Sequence, residues 1–120
     1  MGYIKHHAIV VTCSDAIRLV EAKESAEWLG LVVAGPSKRV INGYASILVC
    51  PDGSKEGWED SDSGETRRWN FMQWLAGKRF EDGSSPFEWV EVQFGRDDRT
   101  ASVANHEWTP LKDEATVPHE

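Results

Sequence analysis

The order of elements in this chain predicts an α+β fold: strand, helix, two strands, helix, strand and one further short strand. Three observations carry that prediction. Residues 3–13, YIKHHAIVVTC, are dense in β-branched and apolar side chains and end at a Ser-Asp pair, as a central strand does. Two later segments space their apolar residues at helical intervals. Between them an Asn-Gly pair at 42–43 sits between apolar runs, and both positions of a tight hairpin turn need positive φ.

The elements follow in order. Ser14 can cap a first helix in which Ala16, Leu19, Ala22, Lys23, Ala26 and Leu29 share one stripe and Gly30 is the stop. Leu31 to Ala34 continues extended until Gly35-Pro36 breaks it. Lys38–Ile41 and Tyr44–Cys50 then form a hairpin, with Ile41 opposite Tyr44, Arg39 opposite Ser46 and Val40 opposite Ala45. Pro51-Asp52-Gly53 makes a turn, and Asp62-x-x-Glu65 has the spacing of a capping box before a second helix. Phe71, Met72, Leu75 and Ala76 give that helix its apolar face, and Gly77 its end.

Phe87–Phe94, FEWVEVQF, alternates, with Val90, Val92 and Phe94 on one side and Phe87, Trp89, Glu91 and Gln93 on the other. A polar turn at Gly95–Asp98 leads to a short strand at Arg99–Ala104. Residues 1–106 are expected to form a single α+β domain and 107–120 an irregular C-terminal tail, with no repeats and no low-complexity linker. This is the split order of a ferredoxin-like βαββαβ sandwich with an extra short C-terminal edge strand: one sheet, two helices on one face. The other face is left uncovered.

Composition bounds the function. A chain of 120 residues holds one core, and 40% hydrophobic with 28% charged residues is ordinary for a globular domain. No apolar run reaches the roughly 20 residues of a membrane span, and MGYIKHH has neither the apolar stretch of a signal peptide nor a myristoylation pattern. A cytoplasmic protein without a membrane partner is expected. The net charge of -7 argues against binding bulk nucleic acid, while leaving room for a small anionic ligand in a local basic pocket. Cys13 and Cys50 each close an apolar strand, where a free cysteine acts as a small buried hydrophobe, and a structural disulfide is not expected.

Two regions are candidate sites. On the uncovered sheet face, alternation sends Val40, Ala45, Ile47 and Val49 toward the helices and leaves Arg39, Ile41, Tyr44, Ser46 and Leu48 outward. Trp89 is expected to join them, together with one of His6 and His7, since neighbouring strand residues face opposite ways. Such a set could stack a base and hold a phosphate. The competing reading is a dimer interface, or a face covered by the tail with Trp108 packed on it. The second region is the loop after the third strand, with Ser54, Lys55 and Trp58, which Arg67 and Arg68 could reach from the second helix.

Other chemistries find little support. Asp60-x-Asp62-x-Gly64 superficially resembles a calcium loop, but Gly64 stands where an acidic ligand is needed and Glu65 where a glycine is. No metal or cofactor is expected. Nucleophile-elbow, zincin, C-x-x-C and Walker patterns are absent from the sequence, so no catalytic residue is assigned. A small phosphoesterase using His6 or His7 remains as an alternative.

YIKHHAIVVT, INGYASILVCPDGSKEGWEDSD and FEDGSSPFEWVEVQFG together resemble a family of small tailed-bacteriophage proteins without an assigned activity, PDGSKEGW being the most specific piece. The resemblance covers most of the chain up to about Phe94. It implies an accessory protein in the host cytoplasm that acts by binding. Its target would be a nucleotide-like host-defence signal, sequestered as a counter-defence, or a host protein blocked through the acidic surface.

Overall fold

The computed structural model describes residues 4–53, 59–96 and 99–108, the side chains of 59–62 excepted. Its elements are β1 (His6–Cys13), α1 (Ala16–Trp28), β2 (Val33–Ala34), a 3-10 turn (Ile41–Gly43), β3 (Ala45–Val49), α2 (Glu59–Gly77), β4 (Glu88–Gly95) and β5 (Thr100–His106). The sheet order is β2-β3-β1-β4-β5 with every neighbouring pair antiparallel. That is the ferredoxin-like split βαββαβ arrangement, with β5 added as an edge strand outside β4.

β1 is central, and its register decides what is inside. Ile9 lies opposite Val49 and Glu91, and Val11 opposite Ile47 and Trp89. Directly opposed residues share a face. Ile9, Val11, Cys13, Ala45, Ile47, Val49 and Trp89 therefore line the helix side, where they meet Leu19, Ala22 and Ala26 of α1 and Phe71, Met72 and Leu75 of α2. Trp74 stands between Phe71 and Phe87, with ring centroids 6.2 and 5.7 Å away, and extends this layer over the start of β4. Among the described residues no helix is long and apolar enough to cross a membrane.

Three expectations about faces and pairing are corrected first. Trp89 does not reach the uncovered face: it is buried under α2, because the bulky Phe87 and Trp89 fill the layer beneath Trp74 better than Val90 and Val92 could. Val40 does not meet the helices either, being 66% exposed. The strand beside β3 is Val33–Ala34, with Ser37 N–H bonded to the Ser46 carbonyl, in place of Lys38–Ile41. Proline has no N–H to give a ladder, so pairing is interrupted at Pro36. At Gly35 the backbones come so close that a Cβ would lie 2.9 Å from the Ser46 oxygen.

Asn42 and Gly43 do have the expected positive φ, 61° and 77°. Val40 N–H, however, bonds to the Tyr44 carbonyl, and the pairing slips: Ser37 instead of Arg39 faces Ser46. Caps shift as well. Asp15, not Ser14, caps α1, its Oδ1 accepting from Ile17 N at 3.0 Å and Arg18 N at 3.2 Å. α2 begins at Glu59, so Asp62 and Glu65 lie inside its first turns rather than at a capping box. At the far end of α1, Gly30 takes φ 91° and closes the helix as expected.

The inverted faces of β4 give a direct test. Trp89→Ala should cost about 3–5 kcal/mol in urea denaturation, as burying aromatics in a core does, whereas Phe94→Ala should cost well under half as much. Equal losses would contradict this arrangement.

Candidate functional site

The face of the sheet without helices carries His6, Ala8, Val10 and Thr12 of β1, Ser46 and Leu48 of β3, Val90, Val92 and Phe94 of β4, and Ala101, Val103 and His106 of β5. Its centre is aliphatic. The polar groups named from sequence fall at its two ends. At one end Thr12 Oγ1 and Ser46 Oγ share a hydrogen bond of 2.8 Å, Tyr44 precedes β3, and Arg39 Nη2 donates to the Ser14 carbonyl at the exit of β1. At the other end the His6 ring lies 5.1 Å from that of Phe94. Six strand residues, roughly 20 Å, separate His6 from Thr12.

Ser54, Lys55 and Trp58 lie outside the described residues. Trp108 does not cover the face. It is 77% exposed, its N–H bonded to His106 Nδ1 at the rim.

His7 points the opposite way from His6, toward the helices, and enters a buried charge cluster that sequence spacing did not expose. Glu91 is its hub: Oε2 lies 3.3 Å from His7 Nδ1 and 3.5 Å from Arg68 Nε, and Oε1 accepts from Asn105 Nδ2 at 2.8 Å. Arg68 Nη1 donates to Asp52 Oδ2 at 3.0 Å. Neither His7 Nδ1 nor Arg68 Nε makes a hydrogen bond of good geometry, and Arg68 meets Glu91 through charge. Arg68 and Glu91 are the two charged residues buried among those described.

Burial pushes the Glu91 carboxyl up, but the contacts from His7 and Asn105 and the charge of Arg68 outweigh it and hold the group below its ordinary value. Arg67, by contrast, is exposed beside Gly30. A pair of arginines on a helix is usually a solvated face. The signal that could have separated them is the three-residue step from Arg68 to Phe71, which puts Arg68 on the apolar stripe.

This cluster supplies His7 with a carboxylate, the partner an acid-base histidine needs. His6 and His7 nonetheless stand on opposite faces, so the two imidazoles cannot act on one substrate. Both cysteines are free. Burial pushes the Cys13 thiol up, which suits a packing residue and not a nucleophile.

A third surface is the outer side of α1. Ile17, Val20 and Trp28 project directly away from the core, with Trp28 88% and Ile17 74% exposed. Glu21, Glu24 and Glu27 flank them, all exposed. The helix's own cations are turned elsewhere: Arg18 to Asp15 and the Phe80 ring, Lys23 to the Gly35 carbonyl at 2.8 Å. Among the described residues no cation pairs with the three glutamates.

No protein-family model matches the chain, and no curated protein is similar to it. One solved structure overlaps it, the guanylyl cyclase domain of the RhoGC fusion protein from the aquatic fungus Blastocladiella emersonii. Identity is 9%, 88% of this chain and 69% of that one are covered, and the TM-score is 0.38. An overlap of that size does not extend to detail, and the fold rests on the strand order above.

The charge cluster makes a pH prediction. A carboxyl whose folded pKa lies below its unfolded one contributes its stability in full above the unfolded value and loses it as pH falls through the folded value. Glu91→Gln should therefore destabilise near pH 7, by less than the roughly 3–5 kcal/mol of a fully stranded buried charge, because Arg68 keeps Asp52. The gap to the wild type should narrow as pH drops below the ordinary carboxylate range. Arg68→Met combined with Glu91→Leu should recover most of the loss. A constant gap across pH, or a double variant as weak as Glu91→Gln, would contradict the cluster.

Proposed function

We propose that the protein is a non-catalytic binding protein of the phage-accessory kind its sequence resembles, acting in the host cytoplasm by engaging a host protein. The observation that carries this reading is the solvent side of α1. Exposed large apolar residues flanked by charges of one sign mark interaction surfaces, and exposed tryptophan is the side chain most enriched at binding hot spots. The fitting partner has a basic surface with an apolar recess for Trp28. Glu21, Glu24 and Glu27, unpaired among the described residues and on a chain of net charge -7, would speed and orient such an encounter.

A second reading, sequestration of a nucleotide-like ligand, is favoured by one observation: Tyr44, Thr12, Ser46 and Arg39 gather at a single end of the β1–β3 pair. Tyr44 would stack and Arg39 would meet phosphate after releasing Ser14. His6 is too distant to take part.

Affinity capture from lysate of the bacterial host distinguishes them. The wild-type protein should retain one stoichiometric partner that is released by salt and is absent with Trp28→Ala or Ile17→Glu. A partner retained equally by both variants would contradict the α1 surface. In parallel, calorimetry against cyclic and ADP-ribose-type nucleotides should give no saturable heat. Saturable binding abolished by Tyr44→Ala would favour the second reading instead.

A further inference from the structure

The uncovered sheet face is a different kind of surface from α1, and its occupant can be argued from what it lacks. Half-buried Val10, Val90 and Val92 with the more open Leu48 and Phe94, 37% and 40% exposed, make an apolar field around the buried Ala8. The chain holds 20 acidic residues, yet among the described residues none is charged at the centre of this face: Glu88 stands at one rim opposite Thr12, and Arg39 lies at the same end. A basic protein or an anionic ligand has nothing to grip across the centre. A neutral apolar surface fits another of its own kind.

We infer that this face is the interface of a homodimer, two copies stacking sheet on sheet through the β1–β4 field.

The other occupant within the chain is the segment 109–120, TPLKDEATVPHE. It offers Leu111, Ala115 and Val117 against Asp113, Glu114 and Glu120, too little apolar surface to cover the field. Size is consistent with a second copy. Five strands at ~4.8 Å spacing and a central strand of roughly 25 Å give a footprint of about 500 Å² per copy once the short outer strands are allowed for. Doubled, that is about 1,000 Å², the lower bound for a specific interface and the range of a reversible dimer.

Two sheets packed face to face keep their strands nearly aligned, and a two-fold axis presents the same apolar field on both copies.

Salt separates this interface from the one on α1. The two copies repel overall, each carrying -7, so screening strengthens their association, whereas it weakens a complex with a basic partner. Sedimentation equilibrium of the full chain across concentration, at low and high salt, tests the inference. The expected result is a concentration-dependent rise from 13.5 kDa toward twice that mass, steeper at high salt. Leu48→Glu and Val103→Glu alter side chains already partly exposed and should each abolish the dimer without loss of folded far-UV signal, while Ile17→Glu on α1 should retain it. A wild-type chain that stays at 13.5 kDa in both salts overturns the proposal, as does a dimer that survives both sheet-face substitutions or is lost with Ile17→Glu.

Discussion

A guanidinium taken out of water must be answered by carboxylates, and the way Arg68 is answered ties the fold together. Asp52 comes from the turn after β3, Glu91 from β4, and through Glu91 the contacts extend to His7 on β1 and Asn105 on β5. One buried ion cluster thus links α2 to four separate points of the sheet and its margin. Such a cluster gives little net stability over an apolar replacement, but losing a single member strands a charge. Its effect is specificity: Glu91 can face only the helix side, and the parity of β4 then sends Trp89 inward and Val90, Val92 and Phe94 outward.

That parity decides where function can reside. With Trp89 inside, the uncovered face loses the aromatic group that would have stacked a base and gains three apolar side chains. It becomes a surface for packing in preference to a pocket. The polar candidates Tyr44, Ser46 and His6 remain on that side or at its margin, separated by a strand length. Binding through a broad face and binding through α1 are therefore the readings the geometry favours. They differ in charge: one surface is neutral and self-complementary, the other acidic and suited to a basic partner.

Much of the fold was legible in the sequence because it is written in local patterns. The element order, the core stripe of α1, the alternation of Ala45, Ile47 and Val49, and the Asn-Gly turn each follow from spacing within a few residues. What was not legible depends on contacts between distant segments. FEWVEVQF alternates equally well either way up, and only Trp74, Phe71 and Arg68 above it decide the matter. The register slip at Ser37 comes from the close approach of Gly35 to Ser46, and the Asp15 cap from a one-residue choice between two good capping side chains. Of the candidate site, His6, Tyr44 and Ser46 could be named but not their separation. The cluster around Glu91 joins residues 7, 52, 68, 91 and 105, and no sequence interval marks it.

The central claim is that the inward side of β4 is the one bearing Trp89 and Glu91, with the opposite apolar face left for association. Hydroxyl-radical footprinting of the intact chain, read residue by residue as protein concentration is raised, tests both halves at once. The account predicts rapid labelling of Trp28 at every concentration, lasting protection of Trp89, and labelling of Phe94 in dilute solution that fades as the chain is concentrated. Trp89 labelled as fast as Trp28, with Phe94 protected even in dilute solution, would contradict it.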